Sequence, residues 1–307
     1  MSGTPKLSVA IVTYNHENFI AKALDSVLMQ RVSFDYEILV GDDFSTDRTR
    51  EILRDYERRW AGKVKPVFRD GNIGTMRNVK DIFEKCRGQY MALLAGDDYW
   101  TDPDKLQVQV DYLDRHPDCA FCHHEVDYIS SADGRKIRDY PPRRYRIERP
   151  DPHDLSLINY VQAIAIVLRR EYLPPFDDRF LELKIEDWPL VVLLSQRGWI
   201  GYLDRNMAHY RIHSSNNWAN RPPDYKIRAM EKMGRYLLET VDTGSRDAWK
   251  NMLLALAFKD LALAVKSLSP GRAVACLRNF LRYSAEFRKP FWVLNSLWPY
   301  FRANYAK

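Results

Sequence analysis

The chain has 307 residues, of which 46% are hydrophobic, and its formal net charge at pH 7 is +6. This length and composition exclude an intrinsically disordered chain and favour one large domain, or one domain with a smaller appendage. The N-terminus lacks the pattern of a secretory signal, and no apolar run approaches the roughly 20 residues of a membrane-spanning helix. Four cysteines are too few for a disulfide scaffold, so we expect a cytoplasmic protein.

The charge is unevenly distributed. Residues 222–307 contain 15 Lys or Arg and 7 Asp or Glu, whereas residues 1–221 contain 32 and 34. The basic character therefore belongs to the C-terminal region. This asymmetry favours a partner surface there and argues against a nucleic-acid-binding core.

Over the first 115 residues, short apolar runs that end in polar turns alternate with stretches of helical periodicity. The predicted strands cover 7–12, 36–40, 64–68 and 90–94, and the predicted helices cover 17–29, 46–60, 76–87 and 103–116. Such alternation is typical of an α/β fold with a mostly parallel, doubly wound sheet. Ligands of such sheets bind at the carboxyl ends of the strands.

The pattern continues less regularly and then becomes wholly helical. Further strands are predicted at 120–129, 161–168 and 201–210, with a loop at 141–152 and a helix at 187–197. After the Pro222-Pro223 break, helical periodicity covers 224–242, 246–267 and 271–287, followed by an aromatic stretch at 290–305. We therefore predict a catalytic α/β domain over 1–221 and a basic α-helical region over 222–307.

The strongest local signal is Asp97-Asp98, directly after the strand that ends near Leu94. Adjacent carboxylates repel each other unless a cation neutralises them, and Mg²⁺ or Mn²⁺ bound with diphosphate oxygens would do so. The alternative is a solvated acidic turn that caps the following helix.

A second acidic pair, Asp42-Asp43, follows the second predicted strand. An acid at this point of a doubly wound sheet can accept hydrogen bonds from a ribose or a base edge, or it can cap the next helix. Tyr14 ends the first strand, where its ring could stack on a base or pack in the core.

These segments resemble family 2 glycosyltransferases of the GT-A fold. The resemblance rests on LSVAIVTYNHENFIAKALDSVLMQ, YEILVGDDFSTDRTREI, NIG with Asn78, and GQYMALLAGDDYWTDPDKLQVQV, and continues more loosely through EDWPLVVLLSQRGWIGYLDRNMAHYRIHSSNNW. It implies an inverting enzyme that moves a sugar from a nucleoside-diphosphate donor to a glycan or lipid-linked acceptor. Uridine is our preferred base for the donor, with thymidine and guanosine as the alternatives.

The resemblance also implies roles for individual residues. Tyr14 would stack on the base, Asp43 would bind its edge, and Val12 and Thr13 would form the pocket floor. Asp97 would face the ribose and Asp98 would hold a divalent metal, Mn²⁺ or Mg²⁺. Arg77 and Asn78 would bind the nucleotide sugar, and His213 would help to hold the metal. Asp187 would be the general base.

Other assignments compete with this one. A sugar nucleotidyltransferase would need a glycine- and lysine-rich phosphate loop after the first strand, and VTYNHENF has none. A non-catalytic module that binds glycans or nucleotides would be expected to lack Asp98 or Asp187, and both are present. Glu186-Asp187 could instead cap a helix, and Cys119-Ala-Phe-Cys122-His123 matches a haem-attachment pattern but is predicted to be a buried strand.

Residues 271–305 combine Arg and Lys with Trp, Tyr, Phe and Leu. This composition is typical of a segment that lies in a membrane interface, which predicts peripheral contact with the inner face of the membrane. The alternative is that these aromatic residues pack on the catalytic domain or in a homo-oligomer.

Overall fold

The computed structural model describes residues 3–185, 187–214, 220–242, 244–266 and 270–287. Within these ranges, nine strands form one sheet. The strands are β1 (Leu7–Thr13), β2 (Tyr36–Asp42), β3 (Val64–Phe68), β4 (Tyr90–Ala95), β5 (Tyr99–Trp100), β6 (Cys119–Ser130), β7 (Lys136–Tyr140), β8 (Val167–Arg169) and β9 (Trp199–Ile212). The helices are α1 (Ile20–Leu28), α2 (Thr49–Arg59), α3 (Thr75–Lys85), α4 (Lys105–Arg115), α5 (Asp178–Leu181), α6 (Asp187–Ser195), α7 (Pro223–Thr240), α8 (Arg246–Lys266) and α9 (Pro270–Glu286).

The strand order is β3-β2-β1-β4-β8-β6-β9-β5, with β7 paired to β6. Strands β1 to β4 pair in parallel, and β6 pairs in parallel with β9. Strand β8 joins the two groups by antiparallel pairing with β4 and β6. In register, Thr13 lies beside Asp42 and Val12 lies beside Ala95. The carboxyl ends of the first strands therefore meet at one edge of the sheet.

The first strands are buried on both faces, as their continuous apolar runs predict. Leu7, Val9 and Ile11 of β1 are fully buried. The pairing of β1 with β2 also buries the carboxylate of Glu37. Ser8 Oγ donates to Glu37 Oε1 at 2.8 Å, and Glu37 forms ion pairs with Lys65 and Arg87. Because these partners neutralise Glu37, the apolar layers on either side can close over it.

The chain forms two compact units. The first contains residues 1–150, 160–181 and 197–216, and therefore the whole sheet. The second contains 151–159, 182–196 and 217–307; in it α8 packs against α7 and α9. The functional division into 1–221 and 222–307 stays a prediction. No helix in the described part of the chain is long and apolar enough to cross a membrane.

The predicted α/β fold, with a mostly parallel sheet and helices in the C-terminal region, is confirmed. One segment differs: residues 161–168 were expected to be a strand, but only Val167–Arg169 pair as β8. A 3₁₀ turn at Ala163–Ala165 precedes it. The apolar run reflects burial of Ile164, Ala165 and Ile166 in the core, and burial alone does not distinguish a strand from a turn. The aromatic stretch 290–305 lies outside the described residues.

Candidate active site

The turn after β4 sits against the end of β1. Gly96 N–H donates to Val12 O at 2.9 Å. A Cβ on Gly96 would lie 2.6 Å from Thr13 Oγ1 and 2.9 Å from His16 Nδ1. Only glycine therefore fits here without displacing a neighbour, and the following carboxylates, Asp97 and Asp98, are held beside the β1–α1 loop.

The two carboxylates occupy different environments. Asp98 is 1% exposed, and its Oδ1 accepts the backbone N–H of Arg211 at 2.8 Å. Asp97 is partly exposed, and its Oδ2 lies 3.1 Å from His213 Nε2 and 3.8 Å from His16 Nε2. Asp97, rather than Asp98, is therefore the carboxylate that meets the imidazoles.

The electrostatics of the pair follow from this arrangement. Burial, followed by repulsion from Asp97, raises the pKa of Asp98 well above its usual value. Burial also opposes ionisation of Asp97, but the His213 hydrogen bond and the charge of His16 outweigh it and hold the pKa of Asp97 below its usual value. A second charge on this pair requires a neutralising partner.

Arg211 positions this part of the site from β9. Besides its backbone bond to Asp98, its Nη2 donates to the carbonyls of Asp98 and Phe19, each at 3.3 Å. Its guanidinium lies 4.9 Å from the Phe19 ring and 4.8 Å from the Tyr99 ring. The ring of Phe19 in turn contacts His213 at a centroid distance of 4.5 Å.

The side chains at Asp97 offer donor atoms that suit a divalent cation. Asp97 and His213 present a carboxylate oxygen and an imidazole nitrogen, a mixed set that Mn²⁺ accepts. No group of three or more His, Cys, Asp or Glu side chains within the described ranges is arranged as a metal site. Asp97 and His213 would hold a divalent cation, with the remaining ligands supplied by substrate and water.

Asp43, the residue that follows β2, lies at the same carboxyl edge of the sheet as the end of β1. Asp43 is buried; its Oδ1 accepts Ile73 N–H at 2.7 Å and its Oδ2 accepts Gly74 N–H at 3.0 Å. Its own N–H donates to Thr13 O at 3.0 Å. Asp43 thus ties the loop before α3 to the end of β1, and its contact with a base edge stays a prediction.

Three exposed apolar side chains border Asp43. Tyr14, which follows Thr13, is 44% exposed, and Phe44 and Ile73 are exposed as well. Phe44 has a positive φ of 66°, a strained conformation for a non-glycine residue that is concentrated at functional sites. Exposed aromatic faces beside a hydrogen-bonding edge suit a flat heterocycle.

The other predicted nucleotide-sugar residues differ in accessibility. Thr13 is buried, Val12 is half-buried, and Arg77 is exposed on α3. Asn78 is 1% exposed; its Nδ2 donates to Gly41 O at 2.8 Å and its Oδ1 accepts from Arg69 at 3.1 Å. Asn78 thus joins α3 to β2, and its contact with a nucleotide sugar stays a prediction.

Asp187 lies in the second unit, at the first residue of α6. Its Oδ1 accepts Trp188 N–H at 2.8 Å and its Oδ2 accepts Asn159 Nδ2 at 3.0 Å. The residue is partly exposed, and burial raises the pKa of its carboxyl. A fixed carboxylate with raised basicity can accept a proton. Glu186 lies outside the described residues.

Sequence reasoning did not single out His16, Phe44, Ile73 or Arg211. His16 and Phe44 stand next to recognised motifs, but their distances to Asp97 and Asp43 depend on folded loops. The CxxCH residues Cys119 and Cys122 lie buried in β6, with free thiols.

The comparisons with known proteins decide the family. The model of glycosyl transferase family 2 matches residues 8–173. The chain belongs to glycosyl transferase family 2. It is therefore a glycosyltransferase rather than a sugar nucleotidyltransferase. An uncharacterised protein of Mycobacterium tuberculosis is 37% identical over 241 residues, which cover 77% of this chain and 67% of the relative.

Solved structures give the same fold for this family 2 enzyme. S. aureus TarS in complex with UDP-GlcNAc superposes with a TM-score of 0.66 at 18% identity, covering 91% of this chain and 81% of TarS. A mannosyltransferase from Pyrobaculum calidifontis in complex with GDP-Man and Mn²⁺ gives a TM-score of 0.56 at 16% identity, covering 98% of this chain and 86% of that protein. The GT-A fold predicted from the motifs is confirmed.

Proposed function

We propose that this chain transfers a sugar, with inversion, from a UDP-sugar to a hydroxyl group of a glycan or lipid-linked acceptor. The observation that carries the proposal is the convergence of His213 and His16 on Asp97, at the sheet edge that also bears Tyr14 and Asp43. The TarS complex with UDP-GlcNAc supports uridine as the base. The mannosyltransferase complex with GDP-Man makes guanosine the alternative, and thymidine stays open.

The metal ligands in this proposal are Asp97 and His213. The sequence assigned the metal to Asp98 and the ribose to Asp97. The geometry instead supports Asp97 as the metal ligand. Asp98 is buried and accepts the Arg211 N–H, whereas Asp97 is partly exposed beside two imidazoles. A bound Mn²⁺ or Mg²⁺ would neutralise charge on the departing diphosphate. The mannosyltransferase complex with Mn²⁺ supports this choice of cofactor.

The chain's own residues supply the remaining steps. Tyr14 and Phe44 would hold the base between exposed rings, and Arg77 would approach the diphosphate from the first turn of α3. Asp187 would take the proton of the acceptor hydroxyl as the oxygen attacks the anomeric carbon. One oriented carboxylate is sufficient for that step.

We also place the enzyme in the cytoplasm, in contact with the inner face of the membrane. The basic C-terminal region supports this location, since anionic lipids attract clustered Lys and Arg. A membrane location would bring a lipid-linked acceptor within reach. A homo-oligomer through the same region is the alternative.

The function is tested by a thermal-shift screen of UDP, GDP and TDP, each with Mn²⁺ or with EDTA, and with UMP as the matched control lacking the second phosphate. A ligand that binds only the native state raises the melting temperature by mass action. We expect the largest rise with UDP plus Mn²⁺ and little with UMP. If no nucleoside diphosphate raises the melting temperature in either condition, the proposed donor class is wrong.

A further inference from the structure

Helix α9 presents an apolar stripe to solvent. Val274, Leu277 and Leu281 are 51%, 42% and 54% exposed, and their spacing places them on one face of the helix. Another face of the helix is buried against α7 and α8 through Cys276, Phe280 and Tyr283, followed by Phe287. The helix is therefore docked by one apolar face and still exposes a second one.

Positive charge borders the exposed stripe. Arg278 and Arg282 are exposed and lie one turn apart on the same side of the helix. Arg278 forms no ion pair with any residue in the described ranges, and Arg282 donates to the neutral side chain of Asn279 at 2.6 Å. By contrast, Arg272 is paired with Asp260 at 2.8 Å. Both stripe arginines thus keep their full charge for a partner.

The charge of the whole molecule is concentrated in this part of the chain. Residues 270–307 contain seven Lys or Arg and a single acid, Glu286, so their surplus of six equals the net charge of +6 of the entire chain. Residues 1–269 are neutral in sum. The sequence that follows α9, FRKPFWVLNSLWPYF, adds Trp, Phe and Tyr, which favour the lipid–water boundary.

We propose that the outer face of α9, formed by Val274, Leu277, Arg278, Leu281 and Arg282, binds the surface of an anionic lipid bilayer. The three apolar side chains enter the boundary between headgroups and acyl chains, and the two guanidinium groups bind lipid phosphates. The contact deepens the proposed function by naming the lipid chemistry and the residues that hold the enzyme there. Lipid binding itself does not depend on the transfer reaction.

A second copy of the chain fits this face less well. In a two-fold symmetric contact the same patch meets itself, which would bring Arg278 and Arg282 of both copies together, four arginines against the two copies of Glu286, the one acid of α9. Repulsion between like charges disfavours that contact. An anionic bilayer instead satisfies the apolar and the charged groups at once.

The test is flotation of the full-length protein with phosphatidylcholine vesicles and with vesicles containing 30% phosphatidylglycerol, at low salt. We expect flotation only with the anionic vesicles. Arg278→Gln/Arg282→Gln should weaken binding about 30-fold, because each cation near an anionic leaflet contributes about 1 kcal/mol. Leu277→Glu/Leu281→Glu should weaken it at least tenfold.

Matched controls carry the same changes elsewhere. Ile137→Glu/Ile147→Glu alters two residues of the first unit that are 49% and 51% exposed, and Arg58→Gln/Arg59→Gln alters two exposed arginines of α2. Both controls should float like wild type. Circular dichroism melts establish that every variant is folded, and exposed positions make folding defects small.

Two results would overturn the inference. One is wild-type protein that stays unbound with anionic vesicles at low salt; the other is flotation of both stripe variants at wild-type affinity. A wild-type dimer that Leu277→Glu/Leu281→Glu converts to monomer, without vesicle binding, would assign the face to a second copy. The UDP thermal shift is measured on the same samples, so that wild-type protein that does not bind lipid but shows an intact UDP shift refutes this inference alone.

Discussion

His213 Nε2 lies 3.1 Å from Asp97 Oδ2, although 116 residues separate the two in the chain. Strand β9 makes this contact possible. Arg211, near its end, bonds Asp98, and His213, the residue that follows the strand, contacts Asp97. The arrangement sets the accessible carboxylate of the pair between two imidazoles and buries the other.

His213 should matter more than His16 for the metal, because its nitrogen is closer to Asp97 (3.1 Å against 3.8 Å). We expect His213→Ala to weaken Mn²⁺-dependent UDP binding at least tenfold, the scale of lost ligand support at metal sites, and His16→Ala to weaken it less. Calorimetric titration measures both. The control is His116→Ala, at the residue that follows α4, where the imidazole contacts Tyr112 and Trp199; equal effects of all three variants would refute the assignment.

Asp187→Asn should lower turnover about 10²–10⁴-fold while donor binding stays near wild type, because a general base acts on the acceptor and not on the donor. Asp242→Asn, an exposed acid of the same unit, is the control. A variant that keeps more than about a tenth of wild-type turnover would reassign the base, with Glu186 the next candidate.

The raised pKa of Asp187 predicts how turnover depends on pH. Burial raises the pKa of Asp187, so the base becomes protonated at a higher pH than an ordinary aspartate. Turnover should therefore fall on the acid side with a midpoint above the reference value of about 3.9, and rise as pH increases through that midpoint. Single-turnover rates across pH measure this limb; a midpoint at or below the reference value would contradict the assignment.

Gly96→Ala should disrupt the donor site. The added Cβ would lie 2.6 Å from Thr13 Oγ1 and 2.9 Å from His16 Nδ1, and overpacking of this kind costs about 1–3 kcal/mol. Gly71→Ala is the control, since its Cβ would meet nothing within 4 Å. We expect a lower melting temperature and no UDP shift for Gly96→Ala only. Normal UDP binding by this variant would mean that the turn is not part of the site.

Lys105 should make stability depend on pH. It is fully buried, donates to Gln109 Oε1 at 2.6 Å, and burial lowers its pKa to about 7. Between pH 7 and the unfolded-state value of about 10.4, the unfolded chain binds the extra proton, so the free energy of unfolding should rise with pH, by at most about 1.4 kcal/mol per pH unit. Below pH 7 this contribution to the slope disappears.

Urea unfolding of wild type and Lys105→Met at pH 7.0 and 8.5 measures that slope. The variant should show a smaller rise than wild type, whereas Lys80→Met, which removes a surface lysine of α3, should keep the wild-type rise. Equal slopes in wild type and Lys105→Met would show that Lys105 does not gain or lose its proton in this range.

Local pattern predicted much of this fold and only part of the site. Apolar runs placed β1, β2 and β4 within two residues, because buried parallel strands must be apolar on both faces. The insertion of β8 between β4 and β6 was not predictable, since its pairing joins residues far apart in sequence. The sequence likewise located the Asp97-Asp98 pair, but β9 determines which carboxylate is buried.

The central claim is that UDP binds through a divalent cation held by Asp97. Calorimetric titration of UDP into wild type, Asp97→Asn and Asp98→Asn, each with Mn²⁺ or EDTA, tests it most directly. We predict Mn²⁺-dependent binding for wild type and for Asp98→Asn, whose amide oxygen can still accept Arg211 N–H, and loss of the Mn²⁺ dependence for Asp97→Asn. Equally tight binding by wild type in EDTA, or loss of the dependence in Asp98→Asn alone, would contradict the claim.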